Sequence, residues 1–342
     1  MTGVAIIGCG LAGVKHAQAF QHCGADVIWT IDIAEDRAQS LSQQLNGKPR
    51  VSRDYQAALQ DSRVEAVDIC LPHNLHEPVT LASAQAGKHI LCEKLIAATL
   101  EEADRMISAC EKAGVVLMIA ENVRFSPLYI KLRELLDREV IGRPALFLMT
   151  RQCYLPRSFL EERRWFLNAK SAAGGIMMSG GFHDFSTALF LIGDVKSVFS
   201  LRAPQRFVEM EGDDTSVALI RFKNGVVGTF VQSFVMKSLV TAAGPEIHTV
   251  RIDGELGSIE VNDQHIIQLY SENEEFWQGE TLTQHDLYVP EQNTFELEVK
   301  HFLYCLCTGS VPLTDGRSMR RSLEIVLAAY HSMETGQPVQ LD

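Results

Sequence analysis

The sequence predicts an α/β chain that opens with a doubly wound parallel sheet and continues into an α+β region. Three observations carry this. In the first third, short runs that are apolar at nearly every position alternate with amphipathic stretches, the pattern of parallel strands covered by helices on both faces. A glycine-rich hexapeptide, Gly8-Cys9-Gly10-Leu11-Ala12-Gly13, directly follows the first of those runs. Beyond about residue 125 the helices between strands thin out, and alternating runs split by turns signal antiparallel pairing.

Taken in order, "GVAIIG" (3–8) feeds a helix over 11–23, and "DVIWTID" (26–32) feeds one over 35–45. "VEAVDICLP" (64–72), a helix over 76–87, "HILCEK" (89–94), a helix over 99–113 and "VVLMIAEN" (115–122) continue the alternation. Thr99 and Glu102 have capping-box spacing, and Gly87 and Gly114 sit where helices end in a left-handed residue. A helix over 126–138 precedes a strand at 144–152 and a polar, arginine-rich segment to Lys170. "AAGGIMMSGGFHDFSTALFLIG" (172–193) reads as a glycine-rich turn leading into a helix, with His183 just ahead of it. Runs at 217–234 and 249–261 are strands split by turns, Asn224-Gly225 being a strong hairpin signal. Helices over 292–308 and 316–335 follow. The expected division is a nucleotide-binding domain over 1–123 and a second domain over 124–342.

Composition narrows the function. Of 342 residues, 46% are hydrophobic and 22% charged, as in a soluble protein of two domains. A formal net charge of −12 argues against general binding to nucleic acid or an anionic membrane, so any phosphate site must be built locally. No apolar run approaches the roughly 20 residues of a spanning helix. "MTGVAIIGCG" enters a strand at once, so no secretory leader is expected. The eight cysteines form no C-x-x-C pair, and only Cys305 and Cys307 are close. Neither a disulfide framework nor a metal site is expected, and a reducing cytoplasm is the expected compartment.

The hexapeptide fits G-x-G-x-x-G after a strand and at the start of a helix. Its glycines permit a tight turn and bare backbone against a pyrophosphate, at the helix N-terminus. The second strand ends in Asp32, 19 residues after Gly13, where an acid accepts ribose hydroxyls and repels a 2′-phosphate. That favours NAD over NADP. Arg37 stands close enough to pair with a phosphate, to pair with Asp32, or to stack on adenine, and S-adenosylmethionine is a competing ligand for such a turn. Ligands in open α/β sheets bind outside the carboxyl ends of the strands. There the sequence places Pro72-His73-Asn74-Leu75-His76, Glu93-Lys94 and Glu121-Asn122-Val123-Arg124-Phe125. An ammonium at such an end, beside a nicotinamide, can hydrogen-bond an alcohol oxygen and stabilise alkoxide character. Its ordinary alternative is an ion pair with Glu93.

With these motifs in order, the chain resembles the Gfo/Idh/MocA family of NAD(P)-dependent oxidoreductases. Besides the glycine turn, "LPHNLH" is similar to the family's P-x-x-x-H, "AGKHILCEK" to A-G-K-H-x-x-x-E-K-P, and "NVRFSP" to N-x-R-F-x-P. The turn ending in His183, "IDGELGSIEV" and "SLEIVLAAYHSMETGQPVQL" also match. The resemblance implies a Rossmann domain followed by a domain with a large open, mainly antiparallel sheet, through which a homodimer or homotetramer forms. It implies Lys94 as catalytic lysine, Glu93 as its cofactor-side partner, and His183 as acid/base or orienting group. Cofactor contacts are expected from Gly8, Gly10, Leu11, Ala12, Gly13, Asp32, Ile33, Arg37, Leu71, Pro72, His73, Asn74, His76, Glu93, Lys94 and Asn122.

Three positions depart from the family pattern. Leu95 stands where the family has proline, and Ser179 and Ser186 stand where D-x-x-x-H-x-x-D places its carboxylates around His183. Without the first carboxylate a substrate hydroxyl loses an acceptor, and a neutral His183 ring is expected. Asp184 is expected at a helix start, stabilising its N-terminus. The implied activity is transfer of a hydride between NAD and a hydroxyl or carbonyl carbon of a sugar or polyol. Arg124, Tyr154, Trp165, Ser179, Lys94 and His183 are candidate substrate contacts, with Arg163 and Arg164 as further ones. A redox-neutral epimerase or glycosidase that recycles bound NAD, and a non-catalytic NAD- or sugar-binding regulator, are the alternatives.

Overall fold

The computed structural model describes all residues of the chain except 156–160, 162–163, 207–208, 236–246, 263–265, 278 and 280–281. The chain forms two compact units, one of Met1–Phe125 with Gln292–Leu323, the other of Ser126–Glu291 with Glu324–Asp342.

In the first unit, β1 (Gly3–Ile7) is buried at all five positions, as a strand covered on both faces must be. It pairs in parallel with β2 (Asp26–Ile31) on one side and β4 (Ala66–Ile69) on the other. With β3 (Arg50–Ser52), β5 (His89–Glu93) and β6 (Leu117–Ala120) the sheet runs β3-β2-β1-β4-β5-β6, parallel throughout. The order reverses between β1 and β4, which defines the crevice at the carboxyl ends. The helices are α1 (Leu11–His22), α2 (Glu35–Gln44), the single turn α3 (Gln56–Leu59), α4 (His76–Gln85) and α5 (Leu100–Ala113). The Thr99–Glu102 capping box starts α5 as the spacing predicted, and Gly114 closes it at φ 66°.

The second unit contains α6 (Pro127–Asp137), α7 (Ala169–Ala172) and α8 (Ile176–Leu191). Its nine-stranded sheet comprises β7 (Pro144–Gln152), β8 (Val195–Arg202), β9 (Thr215–Phe222), β10 (Val227–Ser233), β11 (Ile247–Gly254), β12 (Gly257–Val261), β13 (Ile267–Ser271), β14 (His285–Leu287) and β15 (Val339–Gln340). The order is β14-β13-β12-β11-β7-β10-β9-β8-β15, antiparallel except for the parallel pair β7–β10. The Asn224-Gly225 turn joins β9 to β10, with Gly225 at φ 94°. One face buries Phe147, Phe222 and Phe230, with Phe185 of α8 tilted against Phe230 at 4.9 Å. On β8, β9 and β10 the opposite face leaves Leu201, Val217, Leu219 and Val227 between 38% and 57% exposed.

The sequence division at 123/124 differs from the structure in one respect. The segment 292–323, carrying α9 (Thr294–Thr308) and the start of α10 (Gly316–Thr335), belongs to the first unit. Val299 and Phe302 of α9 share a core with Ala17 and Phe20 of α1, the two phenyl rings meeting edge to face. That long-range burial overrides chain order.

Candidate active site

The glycine turn is shaped by contact on two sides and openness on the third. A Cβ at Gly13 would lie 1.9 Å from Gly8 O, and one at Gly8, already at φ 100°, would lie 2.2 Å from Cys70 O. A Cβ at Gly10 would meet nothing within 4 Å. Gly10 is the N-cap of α1, and no side chain caps the helix there. The turn is therefore closed by the protein at Gly8 and Gly13 and bare at Gly10, where first-turn amides and the helix dipole favour an anion. Leu11 is exposed beside it and Ala12 half-buried. These residues fit the pyrophosphate of a dinucleotide.

Asp32 follows the last residue of β2. Its Oδ2 accepts the Cys9 amide at 2.8 Å and its Oδ1 the Ala34 amide at 2.9 Å. Asp32 thereby links the acid of the second strand to the glycine turn. Among the described residues no ion pair joins it to Arg37, which is exposed on α2. Ile33 is 80% exposed, and its carbonyl accepts from Arg53 Nε at 3.1 Å. Arg53 went unnoticed in the sequence because it lies past β3, distant along the chain from the acid it accompanies.

At the end of β4, Leu71 and Pro72 are half-buried, His73 buried and Asn74 exposed. His76 is wholly buried, its ring nitrogens 2.9 Å from Leu71 O and 2.6 Å from Leu95 O. Burial pulls its pKa down, against the Leu71 and Leu95 carbonyls, which favour the charged ring, and the ring sits between the ends of β4 and β5. At the end of β5, Glu93 and Lys94 are half-buried while Leu95 is wholly buried, and the Lys94–Leu95 peptide is cis. Glu93 Oε2 accepts the Lys94 amide at 3.0 Å. After β6, Asn122 Nδ2 donates to Thr294 Oγ1 at 2.8 Å. Arg124 is 6% exposed, and burial, against the charges of Glu121 and Asp315, brings its pKa down to about 10. It lies inside the unit.

The second unit departs from expectation at His183. Helix α8 begins at Ile176, so Gly180 and Gly181 lie inside it, and His183 and Asp184 are mid-helix rather than at its start. The helix takes these glycines because it packs tightly: a Cβ at Gly180 would stand 2.9 Å from Arg151 Cδ, and one at Gly181 3.0 Å from Gln232 Oε1. Asp184 is accordingly no N-terminal charge. It is buried, with Arg151 Nε donating to Oδ1 at 2.8 Å and Gln232 Nε2 to Oδ2 at 2.6 Å. His248 Nε2 is 3.5 Å from Oδ1, and Tyr129 Oη is 3.0 Å from His248 Nδ1. Burial would raise the Asp184 pKa, but the Arg151 charge and the His248 and Gln232 hydrogen bonds hold it well below the carboxylate range. Ser179 and His183, one turn apart, are both half-buried on one helix face, whereas Ser186 is buried.

Tyr154 is 39% exposed and bridges to Val235. Trp165 is 38% exposed and packs edge to face on Phe166. Arg164 is exposed, while Arg163 lies outside the described residues.

Comparison with known proteins settles the family. Residues 2–121 match the description "Oxidoreductase family, NAD-binding Rossmann fold", and residues 133–341 match "Oxidoreductase family, C-terminal alpha/beta domain". The chain belongs to the Gfo/Idh/MocA family. Among relatives, it is 28% identical to myo-inositol 2-dehydrogenase of Thermotoga maritima, over 99% of this chain and 98% of that protein. It is also 28% identical to scyllo-inositol 2-dehydrogenase (NAD(+)) of Bacillus subtilis, over 99% and 96%. A levoglucosan dehydrogenase solved with NADH and levoglucosan has the same fold, with a TM-score of 0.88, 22% identity and 99% coverage of both chains. The match of residues 2–121 to an NAD-binding domain makes NAD the cofactor and sets aside S-adenosylmethionine.

Proposed function

We propose that this Gfo/Idh/MocA member is an NAD-dependent oxidoreductase acting on a hydroxyl or carbonyl carbon of a sugar or polyol. The observation that carries the reading is the strand end of β5, where Lys94 stands on a backbone amide fixed by Glu93, in the same unit as a glycine turn left bare at Gly10. Bound NAD supplies the two-electron partner. Lys94 hydrogen-bonds the substrate oxygen and stabilises its alkoxide character in the transition state. His183 takes up the hydroxyl proton in oxidation and returns it in reduction. Asp32 receives the adenosine ribose hydroxyls, and its charge disfavours a 2′-phosphate. Pro72, His73 and Asn74 border the nicotinamide half, and Ser179, Tyr154 and Trp165 contact the substrate, Trp165 offering an apolar face to a sugar ring.

The two inositol dehydrogenase relatives match nearly the whole chain and support a cyclic polyol as the first substrate class to try. The exposed apolar face at Leu201, Val217, Leu219 and Val227 supports a homo-oligomer built on the second sheet. No described helix is long and apolar enough to cross a membrane. A screen of inositols, aldoses and sugar acids with NAD⁺ and NADP⁺, following reduced-cofactor absorbance, tests the reading. Net accumulation of NADH is expected. Turnover of a sugar without it would favour a redox-neutral enzyme.

A further inference from the structure

Beneath the strand ends of the first unit, His16, Asp68 and Glu298 are buried beside the half-buried Cys70 and Glu93, and those three have no role in the chemistry proposed above. His16 of α1 is wholly buried. Its Nδ1 lies 3.0 Å from Asp68 Oδ1 on β4, and its Nε2 lies 3.3 Å from Glu93 Oε1 at the end of β5. Cys70 Sγ stands 3.7 Å from Nδ1 and 3.3 Å from Asp68 Oδ2. Glu298 of α9, also wholly buried, brings Oε2 to 3.8 Å from His16 Nε2, and among the described residues neither its carboxyl oxygens nor His16 Nε2 has a hydrogen-bond partner. The remaining Glu93 oxygen is the one that accepts the Lys94 amide.

A neutral imidazole offers one N–H; Nδ1 is hydrogen-bonded to Asp68, while Nε2, outside hydrogen-bond geometry, lies within ion-pair distance of the Glu93 and Glu298 carboxyls, surroundings that suit a doubly protonated ring. We propose that His16 is a positioning residue: a buried cation that holds the Glu93 carboxylate on the Lys94 amide, with Glu298 as a neutral carboxyl beside it. The inference rests on the role proposed for Lys94.

The electrostatics run the same way. Burial opposes the His16 cation, but the Asp68 charge and hydrogen bond, with Cys70, hold its pKa well above the ordinary imidazole value. Burial would raise the Glu93 pKa, but His16 and, after it, Lys94 leave it below the ordinary value. Glu298 is pushed well above its ordinary value by burial and by Glu93, Glu121 and Asp68, with His16 opposing. An ionised Glu298 would compete with Glu93 for the one cation. Kept neutral, it leaves His16 to Glu93.

Two readouts test this, one of them independent of turnover. In the cofactor-free protein, the backbone amide resonance of Lys94 reports the ionisation of the carboxylate it is bonded to. His16→Gln should move that acid midpoint up by about one pH unit or more, the effect of removing an adjacent opposite charge. Asp68→Asn, which weakens the cation without removing the ring, should move it less and in the same direction, and serves if His16→Gln does not fold. Glu298→Gln exchanges one neutral group for another and should leave the midpoint in place. In turnover, His16→Gln should lower kcat about tenfold or more and raise the acid limb, and both effects should vanish in a Glu93→Gln background. An unmoved midpoint, or kcat losses that simply multiply in the double variant, would overturn the proposal; a midpoint displaced by Glu298→Gln would overturn the neutral assignment. If no sugar or polyol is turned over, the activity reading has failed while the Lys94 resonance still decides the role of His16.

Discussion

Asp32 accepts the Cys9 backbone amide at 2.8 Å, so the acid that ends β2 also braces the glycine turn. In the proposed function this one carboxylate serves both loop shape and cofactor choice. Replacing it by serine removes the negative charge that disfavours a 2′-phosphate and weakens the brace. Asp32→Ser should reduce kcat/KM for NAD⁺ by about 10- to 100-fold, the scale of a lost charge-assisted hydrogen bond, and narrow or reverse the preference over NADP⁺. Steady-state kinetics with both cofactors check this.

Gly10 and Gly13 belong to one motif but stand in opposite surroundings. A methyl group at Gly13 would collide with Gly8 O, while one at Gly10 would enter open space. Gly13→Ala should therefore lower the urea midpoint of unfolding. Gly10→Ala should fold normally and lose about tenfold or more in NADH affinity, as fluorescence titration would read, because the added methyl occupies the approach to the pyrophosphate.

The Asp184–Arg151 pair is the main buried charge pair described in the second unit. Because the Asp184 pKa is depressed on folding, its contribution is present above the ordinary carboxylate pKa and is lost as pH falls toward the depressed value. Asp184→Asn leaves Arg151 without its charge partner and should cost about 3–5 kcal/mol at neutral pH. The variant should also lose less stability than the parent between about pH 5 and 3, a difference that urea titrations at several pH values can resolve.

Ser179 precedes His183 by one helical turn on the same face of α8. Ser179→Asp restores the carboxylate that the family pattern places there and favours the imidazolium. The acid limb of the pH–rate profile should then move to higher pH, by about one unit or less given the half-exposed setting. A profile that stays put would remove His183 from the proton transfer.

What the sequence could tell tracked how local its causes are. The all-apolar run of β1, the Thr99–Glu102 box and the Asn224-Gly225 turn are decided by neighbouring residues, and each was legible. The start of α8 was misjudged because Gly180 and Gly181 look like a turn. They are helical because Arg151 and Gln232, on strands distant in sequence, pack where a side chain would stand. The same non-local packing turned Asp184 from an expected helix charge into a buried ion-pair partner. His16 and Glu298, 282 residues apart, had no signal beyond ordinary positions on amphipathic helices, and only the docking of α9 on α1 brings them together. The sequence read the glycine turn and Asp32 together as a cofactor motif, but it carried no signal of the amide bond between them.

The most direct test of the account is turnover of a panel of inositols and sugars by the parent protein and by Lys94→Ala, with NADH binding measured in parallel. The parent should reduce NAD⁺ with at least one polyol or sugar. Lys94→Ala should lose about 100- to 10,000-fold in kcat while binding NADH within a few-fold of the parent. Turnover by Lys94→Ala equal to the parent's, with cofactor binding intact, would contradict the account.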